Sequence, residues 1–442
     1  MSKMTRSDPS TGNKRSLEID LAPGAQVWKA SLQSHTPHAA REQLGIPNDR
    51  PIVMSGHQPI IFHNGILAKL ISLHEIARAT GAASVWIVPD QDVVELDTLR
   101  VPFGSGDELS SRAVQILEAG SMPHGVPAAS LPAMEPLEPD DDRLSELAEY
   151  LRGYSYESSL ARQFANATIQ LASDRIEIDA PQIIFASDLF KSEAIWDHVC
   201  NAMRFDPEDA VLTYNNAALK HPQAKIRALD IKDDDYERPI WRLRDGYSRI
   251  PASDANFDQF NTAPRALLMS GICRAFLSEL FVHGSGGWAY DRVTEDWFRD
   301  WLSIELNPMA RASASVHLPL GVSERDAVGL KDAHWRYHHA RHHPSLVHDD
   351  DTQRVRDELV TRINAARAQG DDPDPMFQQL VRVLEDHRDR NADSLQELKS
   401  QIEHARTNAR QIELANDRTW AFPLFDDDAL HALKDRIHDA LR

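Results

Sequence analysis

The sequence predicts an α/β protein: a parallel-sheet core followed by a helical C-terminal arm. Three observations carry this. Short apolar runs recur at Ile52 to Met54, Ser84 to Asp90 and Gln182 to Ala186, and each ends at small or acidic residues. Strands buried on both faces of a parallel sheet read this way. Between the first two runs, Ile66, Leu67, Leu70, Ile71, Leu73 and Ile76 fall on one face of a helix that starts near Asn64. From Phe377 to Ile412, apolar positions step alternately by four and three, the seam of a left-handed coiled coil.

Taken in order, residues 1–20 are polar and predict a frayed, disordered tail. The first strand stops at Ser55-Gly56, Pro59 interrupts any regular element, and the helix from Asn64 stops at Gly81. The strand from Ser84 runs to Asp90. Strand, helix and strand together form a unit whose two strands are normally parallel, with a right-handed crossover. Residues 104–145 are rich in Gly, Pro, Ser and acid and read as an irregular insertion; Leu144 to Leu171 reads as helix, as does Phe190 to Met203 after the third strand. "RPIWRLRDGYSRIP" reads as a hairpin turning at Asp245-Gly246. Next come a long apolar helix through "ALLMSGICRAFLSELFVH", a glycine break at Gly284 to Gly287, an amphipathic helix and a strand in "ASASVHLPL". Beyond Glu324 the pattern is helical. "QGDDPDP" breaks it, and Arg388 and Asn391 are polar members of the seam. The arm folds either as an antiparallel helical hairpin within one chain or as a coiled coil that pairs two chains.

The expected organisation is a tail (1–20), a core (21–322) with insertions at about 104–180 and 205–262, an arm (323–420), and a segment (421–442) that packs back on the core.

The formal net charge of −20 argues against nucleic acid and anionic membrane surfaces as partners. No apolar run reaches the roughly 18 residues of a membrane span. The N-terminus has no apolar signal-peptide region. The two cysteines, Cys200 and Cys273, lie in apolar runs and read as buried free thiols, so a cytoplasmic protein is expected.

Four segments are candidates for chemistry. In "VMSGHQPIIFHNGILAKL", a strand ends in small residues and feeds a helix N-terminus, where orphan N–H groups favour an anion. Ser55 and Gly56 allow close backbone approach, His57 and His63 could donate to a phosphate or act as acid or base, and Lys69 adds charge. The structural alternative is that His63 caps the helix and His57 is a turn residue. In "PDQDVVELD", Asp90 and Asp92 sit at a strand's carboxyl end, where α/β sheets bind ligands, so Asp90 could share a crevice with His57. The alternative is solvated loop acids. Asp188 ends the third strand in the same way. In "HGSGGWAYD", Gly284, Gly286 and Gly287 beside His283, Tyr290 and Asp291 suggest close approach to a ligand, or a tight turn between helices. His334, His338 and His342 share a helix face with metal-binding spacing. No acidic or Cys partner accompanies them, solvated histidines are the alternative, and no metal ligand is assigned.

Together, "IVMSGHQPIIFHNGILAKLISLHEIA" and "VWIVPDQDVVELD" resemble the N-terminal core of the bacillithiol-biosynthesis cysteine-adding enzyme family, a cysteine ligase family. Ser55-Gly56-His57-Gln58 stands where that family has "TGQQ", His63-Asn64-Gly65 where it has "TGP", and Asp90-Gln91-Asp92 at its acidic strand end. "FVHGSGGWAYD" is similar to its "YIGGPGEIAYW", with Gly286, Gly287 and Tyr290 matching, and "TWAFPLFDDDALHAL" resembles its C-terminal segment. The resemblance implies a Rossmann-like core related to class I synthetases and nucleotidyltransferases, a C-terminal antiparallel coiled coil, and binding of ATP or ADP, with or without Mg2+. It also implies a ligase joining cysteine or another amino acid to a small amine. The small-molecule substrate would meet His57, His63 and Asp90 as catalytic groups. Ser55, Gly56, Gln58, Asn64, Gly65, Lys69, Asp92, Asp188, His283, Gly284, Gly286, Gly287, Tyr290 and Asp291 would line the site. The alternative is a non-catalytic nucleotide- or sugar-binding protein that forms a homodimer through the arm.

Overall fold

The structure, a computed structural model, describes residues 17–105, 108–233, 235–244, 246–253, 261–322 and 329–442. The chain is a mixed α/β protein built on a six-stranded, mostly parallel sheet. Its strands are β1 (Glu18–Ala22), β2 (Ile52–Gly56), β3 (Ala83–Val88), β4 (Gln182–Phe185), β5 (Leu280–His283) and β6 (Met309–Ser315). Their spatial order is β1-β6-β5-β2-β3-β4. The last five are mutually parallel; β1 pairs antiparallel with β6, from Glu18 opposite Ser315 to Ala22 opposite Arg311.

Why these residues form the centre is direct. Ile52, Val53 and Met54 of β2 and Val85, Trp86 and Ile87 of β3 are fully buried, as strands covered on both faces must be. Helix α1 (Asn64–Thr80) buries Leu67, Leu70, Ile71, Leu73 and Ile76. It stops at Gly81, whose φ of 73° takes the left-handed conformation while its N–H bonds to Ala77 O. Each such aliphatic side chain contributes about 1.5–3 kcal/mol through burial.

The strand order fixes where a ligand can sit. From β2 the chain moves outward through β3 to β4, then returns to place β5 on the other side of β2, with β6 beyond. The direction of winding therefore reverses between β2 and β5, and in such sheets the carboxyl ends part there to leave a crevice.

Several expectations are corrected. Glu18–Ala22 forms edge strand β1, although 18–20 were expected in the tail; residues 1–16 of that tail lie outside the described residues. The helix expected from Leu144 to Leu171 is two helices, Ser145–Gly153 and Leu160–Arg175. The long apolar helix before Gly284 is a helix at Ala266–Ile272, a wider turn at Cys273–Leu277 and then strand β5. The glycine break thus follows a strand and opens helix α2 (Ser285–Leu302). The strand placed in "ASASVHLPL" begins earlier, at Met309. Strands Ile240–Arg244 and Tyr247–Pro251 pair as the hairpin requires, with Asp245 of its turn outside the described residues.

The chain divides into two compact units. One takes Met1–Val101, Arg112–Leu318 and Arg418–Arg442; the other takes Pro102–Ser111 and Pro319–Asp417. The second unit contains α3 (Leu330–Ala340), α4 (Asp350–Gln369), α5 (Asp374–Arg390) and α6 (Ala392–Ala415), with α3 packed on α6 and α4 on α5. The heptad seam runs through two helices, because Asn391 stands between α5 and α6. Its second half is covered: Ile402 and Ala405 pack on Ala333. Its first half is open, with Phe377 50% and Val381 37% exposed. His387 is fully buried here, bonded through Nδ1 to Asp349 and through Nε2 to Ala340 O. No helix among the described residues is long and apolar enough to cross a membrane. Both cysteines are buried free thiols.

Candidate functional site

The reversal point between β2 and β5 is flanked by two strand-to-helix connections. On the β2 side, Ser55 is fully buried and its hydroxyl donates to Val282 O at 2.7 Å, stitching β2 to β5. Gly56 admits no side chain, since a Cβ would come within 2.1 Å of Ile87 O. Its carbonyl accepts a hydrogen bond from Lys69 Nζ. Lys69 is 5% exposed, and its ammonium lies 5.3 Å from the centre of the Trp86 ring. Burial lowers its pKa to about 7. Among the described residues no carboxylate pairs with it.

Two further polar side chains on this wall lack partners. Asn64 is fully buried in the first turn of α1 with neither Oδ1 nor Nδ2 hydrogen-bonded, and His57 Nδ1 is likewise buried and unpartnered. Burial, reinforced by the charges of Lys69 and His63, holds the His57 imidazole well below its ordinary pKa. Buried polar atoms in this state destabilise a fold unless an occupant meets them.

His63 caps α1. Its Nδ1 accepts from Gly65 N–H at 3.0 Å, and a Cβ on Gly65 would touch the ring, which explains the glycine. The connecting loop is held from above. His63 pairs with Ala421 in an isolated β-bridge, and Phe422 N–H donates to Phe62 O at 2.7 Å.

On the β5 side, Gly284 is the N-cap of α2 and makes no side-chain cap; Ser285 and Gly286 beyond it are exposed. A Cβ on Gly284 would lie 3.8 Å from Lys69 Cδ, so Lys69 reaches between the two connections. Helices α1 and α2 thus both start at this edge of the sheet; His63 already takes the Gly65 and Ile66 N–H groups of α1, so the orphan N–H groups here are those of the uncapped first turn of α2. His283, at the end of β5, donates or accepts through Nε2 with Asp291 Oδ2 at 3.0 Å. Asp291 is fully buried and also accepts from Ser270 Oγ and Arg274. Burial alone would raise its pKa, but His283, Arg274 and Ser270 hold the carboxyl well below the usual range. Half-buried Tyr290 sits with its ring 6.2 Å from that of His283, its phenol pKa raised by burial and by Asp291 and Asp92.

The acids after β3 and β4 hold structure together and do not join the histidines. Asp90 is buried and spans two strand ends, accepting from Ser187 N–H at 3.0 Å and Ser187 Oγ at 2.6 Å; no contact joins it to His57 or His63 among the described residues. Burial pushes its pKa up to about 6 against the opposing Ser187 bonds. Asp92 accepts from Gln58 Nε2 at 2.9 Å and from Arg249 at 2.7 Å, which engages Gln58 as well. Asp188 pairs with Arg162 and Lys191. The structure thus brings His57 within electrostatic reach of Lys69 and His63, and Lys69 up to Gly284, while the hydrogen bonds of Asp90 come from Ser187.

No model of a known protein family matches the chain, and no curated protein does.

Some residues that shape the site gave no sequence signal of their own. Trp86 reads as one apolar member of a strand, yet it underlies Lys69 with its own Nε1 buried and unpartnered. Ser187 and Arg249 act through partners distant in sequence. Arg274 could have been found. A lone arginine inside "GICRAFL" must be neutralised when that run is buried, and it is, by Asp291 and Glu295. Among the described residues no three His, Cys, Asp or Glu side chains are grouped to hold a metal ion.

Proposed function

We propose that the crevice outside β2 and β5 binds the phosphate of ATP or ADP, and that the protein is a ligase-like enzyme of small-molecule metabolism. In this reading it joins cysteine or another amino acid to a small amine, as the resemblance to the bacillithiol cysteine-adding family suggests. One observation carries the proposal: Lys69, a buried cation with no carboxylate partner, reaches between two connections that each open a helix. A cation desolvated in this way is unfavourable by itself. An anion at the uncapped N–H groups that open α2 would offset that cost and restore the lysine's charge.

The order of the five parallel strands supports reading the core as Rossmann-like, since it follows a doubly wound 3-2-1-4-5 pattern with the site at the reversal point. His57 and Asn64 supply further hydrogen-bonding atoms on the same wall, and Gly286 leaves its side open because a Cβ there would meet nothing within 4 Å. The open stripe of Phe377 and Val381 supports a homodimer formed through the arm.

Calorimetric titration with ATP and with ADP, each with and without Mg2+, tests the proposal. Wild-type protein should bind at least one of them, and His57→Ala and Lys69→Ala should each weaken binding while leaving the far-ultraviolet circular dichroism unchanged. Wild-type protein that binds neither nucleotide would overturn the reading.

A further inference from the structure

The buried cluster at the end of β5 has a feature that anion binding does not use. His283 is 5% exposed, and its Nε2 is committed to Asp291, itself fixed by Ser270 and Arg274. An ionised carboxylate accepts only, so in the neutral ring Nε2 carries the proton and Nδ1 keeps the lone pair. No group of the described residues donates to Nδ1. It lies against the first turn of α2: a Cβ on Gly287 would come within 2.5 Å of it, so only glycine at 287 lets the ring occupy this place. The first turn of α2 and Lys69 offer donors, whereas His283 Nδ1 offers an acceptor at the same edge of the sheet.

We propose that His283, held in one tautomer by Asp291, is the proton acceptor of this crevice, and that the ligand carries an ammonium or amine N–H beside its anionic group. The inference rests on the anion-site reading and names the substrate class that reading leaves open. A simple phosphate ester satisfies the donors and leaves Nδ1 unpaired; an amine-bearing anion satisfies both. The step assigned to His283 is proton transfer: an ammonium N–H bond breaks, its proton passes to Nδ1, the electron pair stays on the amine, and the imidazolium formed is offset by the Asp291 carboxylate. His283 is then a catalytic residue. Asp291 is a positioning residue that acts through it.

Two measurements test this. Nitrogen-15 spectroscopy of the full chain with labelled histidine, assigned by the loss of one signal in His283→Phe, reads the tautomer directly. The wild type should show a protonated Nε2 and an acceptor Nδ1, and Asp291→Asn should shift the population toward the other tautomer. A wild-type His283 protonated on Nδ1 overturns the proposal. Calorimetry then compares O-phosphoethanolamine with ethyl phosphate, two probes that share the phosphate and differ in the amine. The amine-bearing probe should bind wild-type protein about tenfold more tightly, and His283→Phe should remove that difference. Equal binding of the two probes to wild type overturns the role of His283 and leaves the anion site standing. Binding of neither overturns the anion site and the inference with it. The wild-type comparisons hold whether or not the variant folds.

Discussion

The ammonium of Lys69 donates to the carbonyl oxygen of Gly56, thirteen residues earlier in the chain. A backbone oxygen stabilises a buried lysine far less than a carboxylate does, and burial lowers its pKa to about 7. An unfolded lysine titrates near 10.4. Between these values the unfolded chain holds a proton that the folded chain has released, so stability rises as pH climbs from about 7 to about 10. Below pH 7 the full cost is present. Lys69→Met should therefore raise the stability of ligand-free protein at pH 7 by a few kcal/mol, on the order of 2–4, and abolish the thermal shift given by ATP. Urea unfolding and ligand-shift melts check both; a variant less stable than wild type would show that the lysine's charge supports the fold itself.

Asp90 has the opposite chemistry and a different pH window. Its pKa is raised to about 6, so the folded chain holds a proton that the unfolded chain loses above about 4. Stability from this group falls as pH rises from about 4 to about 6 and is constant thereafter. Asn at this position can still accept from Ser187 N–H and donate to its hydroxyl. Asp90→Asn should flatten the pH dependence in that window and be up to about 3 kcal/mol more stable at pH 7. Thermal melts across pH 4–7 would show it.

Adjacent glycines in the first turn of α2 should respond differently to the same substitution. At Gly287 a Cβ would sit 2.5 Å from His283 Nδ1, whereas at Gly286 nothing lies within 4 Å. Gly287→Ala should cost about 1–3 kcal/mol by displacing the imidazole. Gly286→Ala should be neutral or stabilising by up to about 1 kcal/mol through helix propensity. Equal effects in urea unfolding would contradict the packing described for His283.

The proposed homodimer places Phe377 and Val381 in an interface. Phe377→Glu should convert a dimer to a monomer in sedimentation velocity while the far-ultraviolet spectrum stays unchanged. Wild-type protein that sediments as a monomer at its highest soluble concentration would remove the proposal. In the same unit, His387→Ala would leave Asp349 and Ala340 O without their buried partner and should lower stability by about 1–3 kcal/mol.

Much of the sheet was legible because β2, β3 and β4 are short apolar runs bounded by small residues, and α1 carries a clear helical period. Strand β5 was not. Its four residues continue the apolar run of the preceding helix, so periodicity cannot separate them, and Gly284 to Gly287 consequently read as a break between helices. The two glycine- and histidine-bearing connections were visible as candidate sites. Which acids belong to them was not, because a carboxylate at a strand end turns toward whatever its neighbouring strand presents. Asp90 meets Ser187, ninety-seven residues later, and no local pattern encodes that meeting.

The bridge between His63 and Ala421, with the Phe422 bond to Phe62, ties the β2–α1 connection to a segment made only after the whole helical arm. While the ribosome is still adding the helical arm, β2, β3 and α1 can already associate, but the loop carrying His57 and His63, anchored by Gln58 on Asp92, still lacks its bonds to residues 421 and 422. A nascent chain arrested before Trp420 should therefore have its sheet and lack its finished crevice. Ligand competence would then be gained only once residues 421 and 422 have joined the fold, after the sheet that carries the site has formed.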